Sequence, residues 1–202
     1  PDYFIDNLMS GLCAYGLEPS NIEKTAISSV VPEINGRFVD AVHRITCVVP
    51  CFFSITDAER LLNIDVDFPE QVGKDRLADA IAAAECYGSP TIVIDMGTAT
   101  TVGIVTADRK FVGGMIIPGV KTSHRALCER ASQLSEIDKW EAESIVGRNT
   151  KECMQSGVIF GAACMIDGVI DRINDMFDMP FTIVATGGMS SVIVPYCKHE
   201  II

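Results

Sequence analysis

The stretch from Pro90 to Gly119 limits the possible folds of this chain more than any other. Ile92-Val93-Ile94 is an unbroken β-branched run, the signature of a buried strand, and it ends on a carboxylate, Asp95. Asp95-Met96-Gly97-Thr98-Ala99-Thr100-Thr101 then supplies a flexible glycine, three hydroxyls and bare backbone amides, the makings of a turn that can approach a phosphate closely. Val102 to Thr106 reads as a second strand, Ala107 to Lys110 as a tight turn and Phe111 to Ile117 as a third strand. The expected element is a β-meander with a potential cation ligand and a hydroxyl-rich turn at its top. That combination suits phosphoryl transfer, where the protein's task is to position a polyphosphate and its cations. It is not a Walker loop, because GxxxxGK[ST] occurs nowhere in the chain. A D-x-G-T turn alone is more often an ordinary hairpin, given the turn preferences of Asp and Gly, so the choice falls to the rest of the chain.

Upstream, Tyr3 to Tyr15 carries a helical apolar period that Gly16 can end. Lys24 to Val31 is expected as a strand stopped by Pro32, Ile34 to Ile45 as a helix, and Thr46 to Phe53 as a short apolar strand. Gln71 to Arg76 opens a helix with Leu77, Ala80, Ile81 and Ala84 on one face. Asp75 falls in its first turn, where amides and the helix dipole favour a carboxylate; from position alone it is either a surface acid or a general base flanked by Arg76. Downstream come a helix from Lys121 to Leu134, a polar segment anchored by Trp140, and a long helix from Lys151 to Phe177 capped by Asn149 or Thr150. That helix holds Gly157, Gly161 and Gly168, each costing about 1 kcal/mol against alanine. They imply close packing by another helix of the chain or by a second subunit. Phe181 to Ala185 is a last strand, running into the Thr186-Gly187-Gly188 turn.

A formal net charge of −11 argues against nucleic acid or an anionic membrane as partner. The eight cysteines, mostly inside apolar segments and without a CxxC pair, read as reduced core residues of a cytoplasmic protein. The acids Asp167 and Asp171 argue against the long helix spanning a membrane. The chain opens on Pro-Asp-Tyr inside a helical pattern and stops at Ile201-Ile202, so it reads as cut at both ends.

Taken in order, Ser28-Ser29-Val30-Val31-Pro32, Val72-Gly73-Lys74-Asp75-Arg76, Asp95 to Thr101, Gly113-Gly114-Met115-Ile116-Ile117-Pro118-Gly119, Gly147-Arg148-Asn149-Thr150 and Thr186-Gly187-Gly188 resemble type III pantothenate kinase in sequence and spacing. The match covers nearly all of the chain. The resemblance implies an α/β fold of the sugar kinase, actin and heat-shock chaperone ATPase superfamily, two ribonuclease H-like lobes around a nucleotide cleft. Residues 91–202 would be the second lobe and residues 1–90 the remainder of a first lobe that is incomplete in this chain, since the family's opening D-x-G-N-T phosphate loop has no counterpart here and the C-terminal end is missing.

The implied activity is ATP-dependent phosphorylation of pantothenate to 4'-phosphopantothenate, the first step of coenzyme A biosynthesis, by a cytoplasmic homodimer using Mg²⁺ and a monovalent cation (K⁺ or NH₄⁺). Carried over by the resemblance, Asp75 is the general base, and Gly73, Lys74, Arg76 and Thr150 join it in binding pantothenate. Thr98 and Gly97 meet ATP, Gly187 and Gly188 lie near the nucleotide, and Asp95 is the monovalent-cation ligand. Val66 stands where many members place a tyrosine against pantothenate. Two other functions are to be weighed: a non-catalytic accessory or regulatory paralogue, and a related kinase acting on another small hydroxy acid. The retained Asp75, Asp95, Thr98 and Thr150 favour the pantothenate kinase, although the chain from 1 to 202 alone is expected to be inactive.

Overall fold

The computed structural model describes residues 2–202. The chain divides into two compact units, Pro1–Leu61 with Phe68–Ala78, and Leu62–Asp67 with Asp79–Ile202.

In the first unit, α1 (Asp2–Ala14) and α2 (Pro32–Thr46) pack through Phe4 and Phe38, whose ring centroids lie 4.5 Å apart. Gly16, at φ +64°, ends the first helix as its sequence implies. The strands expected on either side of α2 are much shorter than their apolar runs. β1 (Ala26–Ile27) and β2 (Cys51–Phe52) form a two-stranded parallel ladder. Beyond Ile27 the backbone is claimed by local polar bonds: the Val31 amide donates to Ser29 Oγ at 3.2 Å, and Ser29 Oγ donates to Asn35 Oδ1 at 2.6 Å. Pro32 then serves as the first helical residue. α3 (Ile55–Glu59) starts on a capping box between Ser54 and Asp57.

The second unit is organised by one sheet, in the order β3 (Asn63–Ile64), β6 (Lys110–Pro118), β5 (Ala99–Val105), β4 (Thr91–Met96), β7 (Thr182–Thr186). β4, β5 and β6 are the expected antiparallel meander, and β7 returns parallel to β4, with Asp95 opposite Thr186. Ile202 bonds to the outer edge of β7 through its amide to Ile183 O at 3.0 Å and its carbonyl from Ala185 N at 2.7 Å.

α4 (Lys74–Tyr87) carries the boundary between the units, α5 (Val120–Arg130) follows the meander, and α6 (Thr150–Phe177) and α7 (Ser190–Ile193) flank β7 in sequence. α6 is long and apolar enough to cross a membrane, but its Ile159, Ile166, Ile170 and Ile173 are packed with Ile92, Ile94, Val102 and Ile183 of the sheet in one core. Asp167 lies buried at mid-helix. It collects the Lys198 amide at 2.9 and 3.0 Å and the His199 amide at 3.3 Å, which offsets the cost of burying its charge. The cysteines do not fill the core. Among the described residues all eight are free thiols, six of them exposed, because Cys13, Cys86, Cys153 and Cys164 fall on the outward faces of their helices.

Candidate functional site

Two neighbourhoods hold most of the residues singled out by sequence. At the start of α4, Gly73, Lys74, Asp75 and Arg76 are all half-buried. Asp75 Oδ1 accepts the Arg76 amide at 2.9 Å, so the helix itself orients the carboxylate. Gly73 is required by this geometry, since a side chain there would run into the Asp75 carboxylate. Burial pulls the Arg76 guanidinium below its ordinary pKa, and the Asp75 charge opposes that shift.

The second neighbourhood is the turn between β4 and β5. The Gly97 amide donates to Ala99 O at 3.0 Å and closes it. Thr98 O accepts both the Gly119 amide at 3.1 Å and Thr122 Oγ1 at 2.8 Å, which fastens the first turn of α5 to the loop and leaves the Thr98 side chain exposed. From the other side the Met189 amide donates to Met96 O at 3.1 Å. Asp95 stands at the strand end, half-buried and not fully buried as its apolar run suggests, because its side faces the loops. Gly97 and Gly187 both lie against its carboxylate. Gly187 has φ +88°, and any side chain on it would collide with Asp95 Oδ1 and the Met96 backbone.

These loops line a cleft of about 450 Å³ in which Gly97, Thr98, Gly188 and Met189 face Lys121, Thr122, Arg125, Glu136 and Trp140. Thr150 is elsewhere: it is the exposed first residue of α6, which Asn149 caps by accepting the Glu152 amide at 3.0 Å. It follows the polar hollow of about 630 Å³ lined by Arg148, Asn149, Lys151 and Glu152. A third hollow, apolar and about 430 Å³, runs between α5 and α6 along Val120, Leu127, Gly157, Gly161 and Met165. Among the described residues, and apart from the backbone of α6 itself, nothing stands within 4 Å of where side chains on Gly157 and Gly161 would be, so no described helix packs on them.

Three residues of the cleft escape a reading by motif. His124 is buried, accepts the Ile137 amide on Nε2 at 3.1 Å and stands edge-on to Trp140 at 5.4 Å. Trp140 is more than an anchor for its loop, since it forms part of the cleft wall, and Lys121 places its Nζ 5.8 Å from the Trp140 ring centroid. The only sequence signal for Lys121 is its position two residues after the Pro118-Gly119 turn.

The sequence profile of type III pantothenate kinase matches residues 5–172. A type III pantothenate kinase of Hyphomonas neptunium is 40% identical over 177 residues, covering 88% of this chain and 69% of the relative; one from Roseiflexus sp. is 38% identical over 178 residues with the same coverage. Among solved structures, a Campylobacter jejuni protein described as a Baf family transcriptional activator matches 90% of this chain and 76% of its own at a TM-score of 0.54 and 19% identity, a likeness of fold.

Proposed function

The chain belongs to the type III pantothenate kinase family, and from that premise we propose how its residues divide the work of ATP-dependent phosphorylation of pantothenate, the first step of coenzyme A biosynthesis. Asp75 is the general base that takes the proton from the attacking hydroxyl of pantothenate, and Gly73, Lys74, Arg76 and Thr150 hold that substrate. Thr98 and Gly97 meet the ATP phosphates and the Gly187-Gly188 turn lies by the nucleoside. The observation that carries the reading is the cleft beside Asp95, where the Gly97-Thr98 turn and Gly188, far from it in sequence, line one cleft. In phosphoryl transfer such positioning is the larger part of catalysis.

Asp95 suits a monovalent cation such as K⁺ or NH₄⁺. Its carboxylate lies beside Gly97 and Gly187, at the end of a strand that runs into the loops of the cleft. Mg²⁺ enters with the nucleotide, and the cations when bound neutralise charge on the phosphates. Residues 91–202 form the second lobe and residues 1–90 the remainder of the first. The enzyme is a cytoplasmic homodimer; what supports the dimer is the apolar hollow at Gly157 and Gly161, where no described residue of another helix lies within 4 Å of an added side chain. The charge of −11 supports small anionic substrates held by local groups over nucleic acid or membrane.

The test is Asp75→Asn in the full-length protein. Turnover should fall by about two to four decades, the range for removal of a general base, with an unchanged circular dichroism spectrum. Near wild-type turnover would make Asp75 an ordinary first-turn acid.

A further inference from the structure

We propose that Lys121 is the side chain that neutralises the phosphate chain in the cleft, held ready for it by Trp140; this rests on the reading of that cleft as the nucleotide site. An acidic protein that binds a polyphosphate must supply positive charge locally. Two cations line the cleft, Lys121 and Arg125. Arg125 is paired with Glu129 at 3.6 Å, and the nearby Lys139 and Lys151 are paired with Glu141 and Asp138. Lys121 alone of these makes no ion pair among the described residues; its ammonium lies over the Trp140 ring. Glu136, the one carboxylate in the cleft wall, does not reach it.

An aromatic face orients an ammonium without neutralising it, so the charge stays available to an anion while the flexible stem is restrained. The platform is itself fixed. Trp140 packs against the core and meets the edge of His124, and the bond from the Ile137 amide to His124 Nε2 sets that ring. The register to the phosphate turn is fixed as well, because Thr122, the next residue, donates to Thr98 O, and Gly119 does so from the other side. The Lys121 backbone therefore moves with Thr98. Lys121 and Trp140 are positioned as one unit, in which the indole keeps the ammonium on the cleft side.

Calorimetric titration of the full-length protein with ADP and with adenosine separates phosphate contact from contact with the nucleoside. Lys121→Gln should weaken ADP about tenfold or more, the loss typical of one charge-assisted contact, and leave adenosine unchanged. Lys121→Arg should restore most of the ADP affinity, and Trp140→Leu should lose part of it. Equal weakening of ADP and adenosine by Lys121→Gln, or no weakening of either, overturns the assignment. Thr98→Val is the control for the reading beneath it. If Thr98→Val weakens ADP and Lys121→Gln does not, the proposal for Lys121 fails alone; if neither variant matters, the cleft is not the nucleotide site and both fail.

Discussion

The two compact units of this chain reach their shapes by different means. The unit around β4–β7 has one continuous core in which Ile92, Ile94, Ile159, Ile166 and Ile170 are essentially inaccessible to solvent. Among the described residues, the unit of Pro1–Leu61 and Phe68–Ala78 buries deeply just Ala41, Pro50, Ala58 and Leu77 of its apolar side chains, and leaves Tyr15, Val49 and Phe68 largely in solvent. The turn between β4 and β5 is consequently held from below by packing and from both sides by hydrogen bonds, from Gly119 and Thr122 at the start of α5 and from Met189 in the loop after β7. Asp75 is instead oriented by its own helix, through the Arg76 amide and the absent side chain of Gly73. A binding loop built on a dense core can be rigid without ligand. A carboxylate oriented only by local bonds depends on what else comes to lie around it.

The strongest challenge to this contrast is a pair of truncations followed by urea unfolding. Ile170→Ala should cost about 2–5 kcal/mol, the range for large-to-small changes in a packed core, whereas Val49→Ala should stay within about 0.5 kcal/mol, as surface changes do. Comparable losses would erase the difference between the units. A second experiment sharpens the account of the better-packed unit. If a second copy covers the hollow along α6, Gly157→Leu should force about 1–3 kcal/mol of overpacking into the interface and convert dimer to monomer or aggregate in light scattering. An unchanged dimer would place the interface elsewhere.

The smallest effect concerns pH. Burial, with the Asp167 charge and Cys164 adding to it, pushes the Cys197 thiol up to about 11 from its ordinary 9.0. The unfolded chain then loses this proton first as pH rises. The stabilisation is complete below pH 9 and is lost between 9 and about 11. Cys197→Ala should flatten the fall in stability across that window, and an unaltered slope would show that the thiol does not contribute. Partial exposure of Cys197 keeps the effect modest through solvent screening.

The same contrast explains what the sequence disclosed. β4, its turn and the meander were legible because a β-branched run bounded by Asp and Gly encodes strand, depth and stop within a few residues. Lys24 to Val31 misled because its β-branched residues lie where local Ser29 and Asn35 bonds outcompete pairing, a balance that depends on geometry. The cysteines misled because hydropathy says nothing of which helix face a residue occupies. Gly97, Thr98 and Gly188 were legible as motifs, but the cleft they share was not, since it is also lined by Lys121 and Glu136, which carry no motif, and by Trp140, legible only as the anchor of its own segment. Gly157 and Gly161 could be read as a packing surface, and only the fold removes a helix of the same chain as its occupant.

The placement of β7 beside β4 has a consequence for the birth of the protein. β4 is an inner strand of the sheet, yet its two neighbours leave the ribosome at very different moments. β5 follows it at once, whereas β7 arrives roughly 85 residues later, which at ordinary rates of translation is on the order of 5–20 s. For that interval the nascent meander presents one flank of Thr91–Met96, an apolar strand, with no strand to close it. The long helix α6 is synthesised within the same window and packs on the same core residues. It can shelter the exposed face before the last strand completes the ladder, so the order of elements along the chain limits how long the growing polypeptide is open to its neighbours.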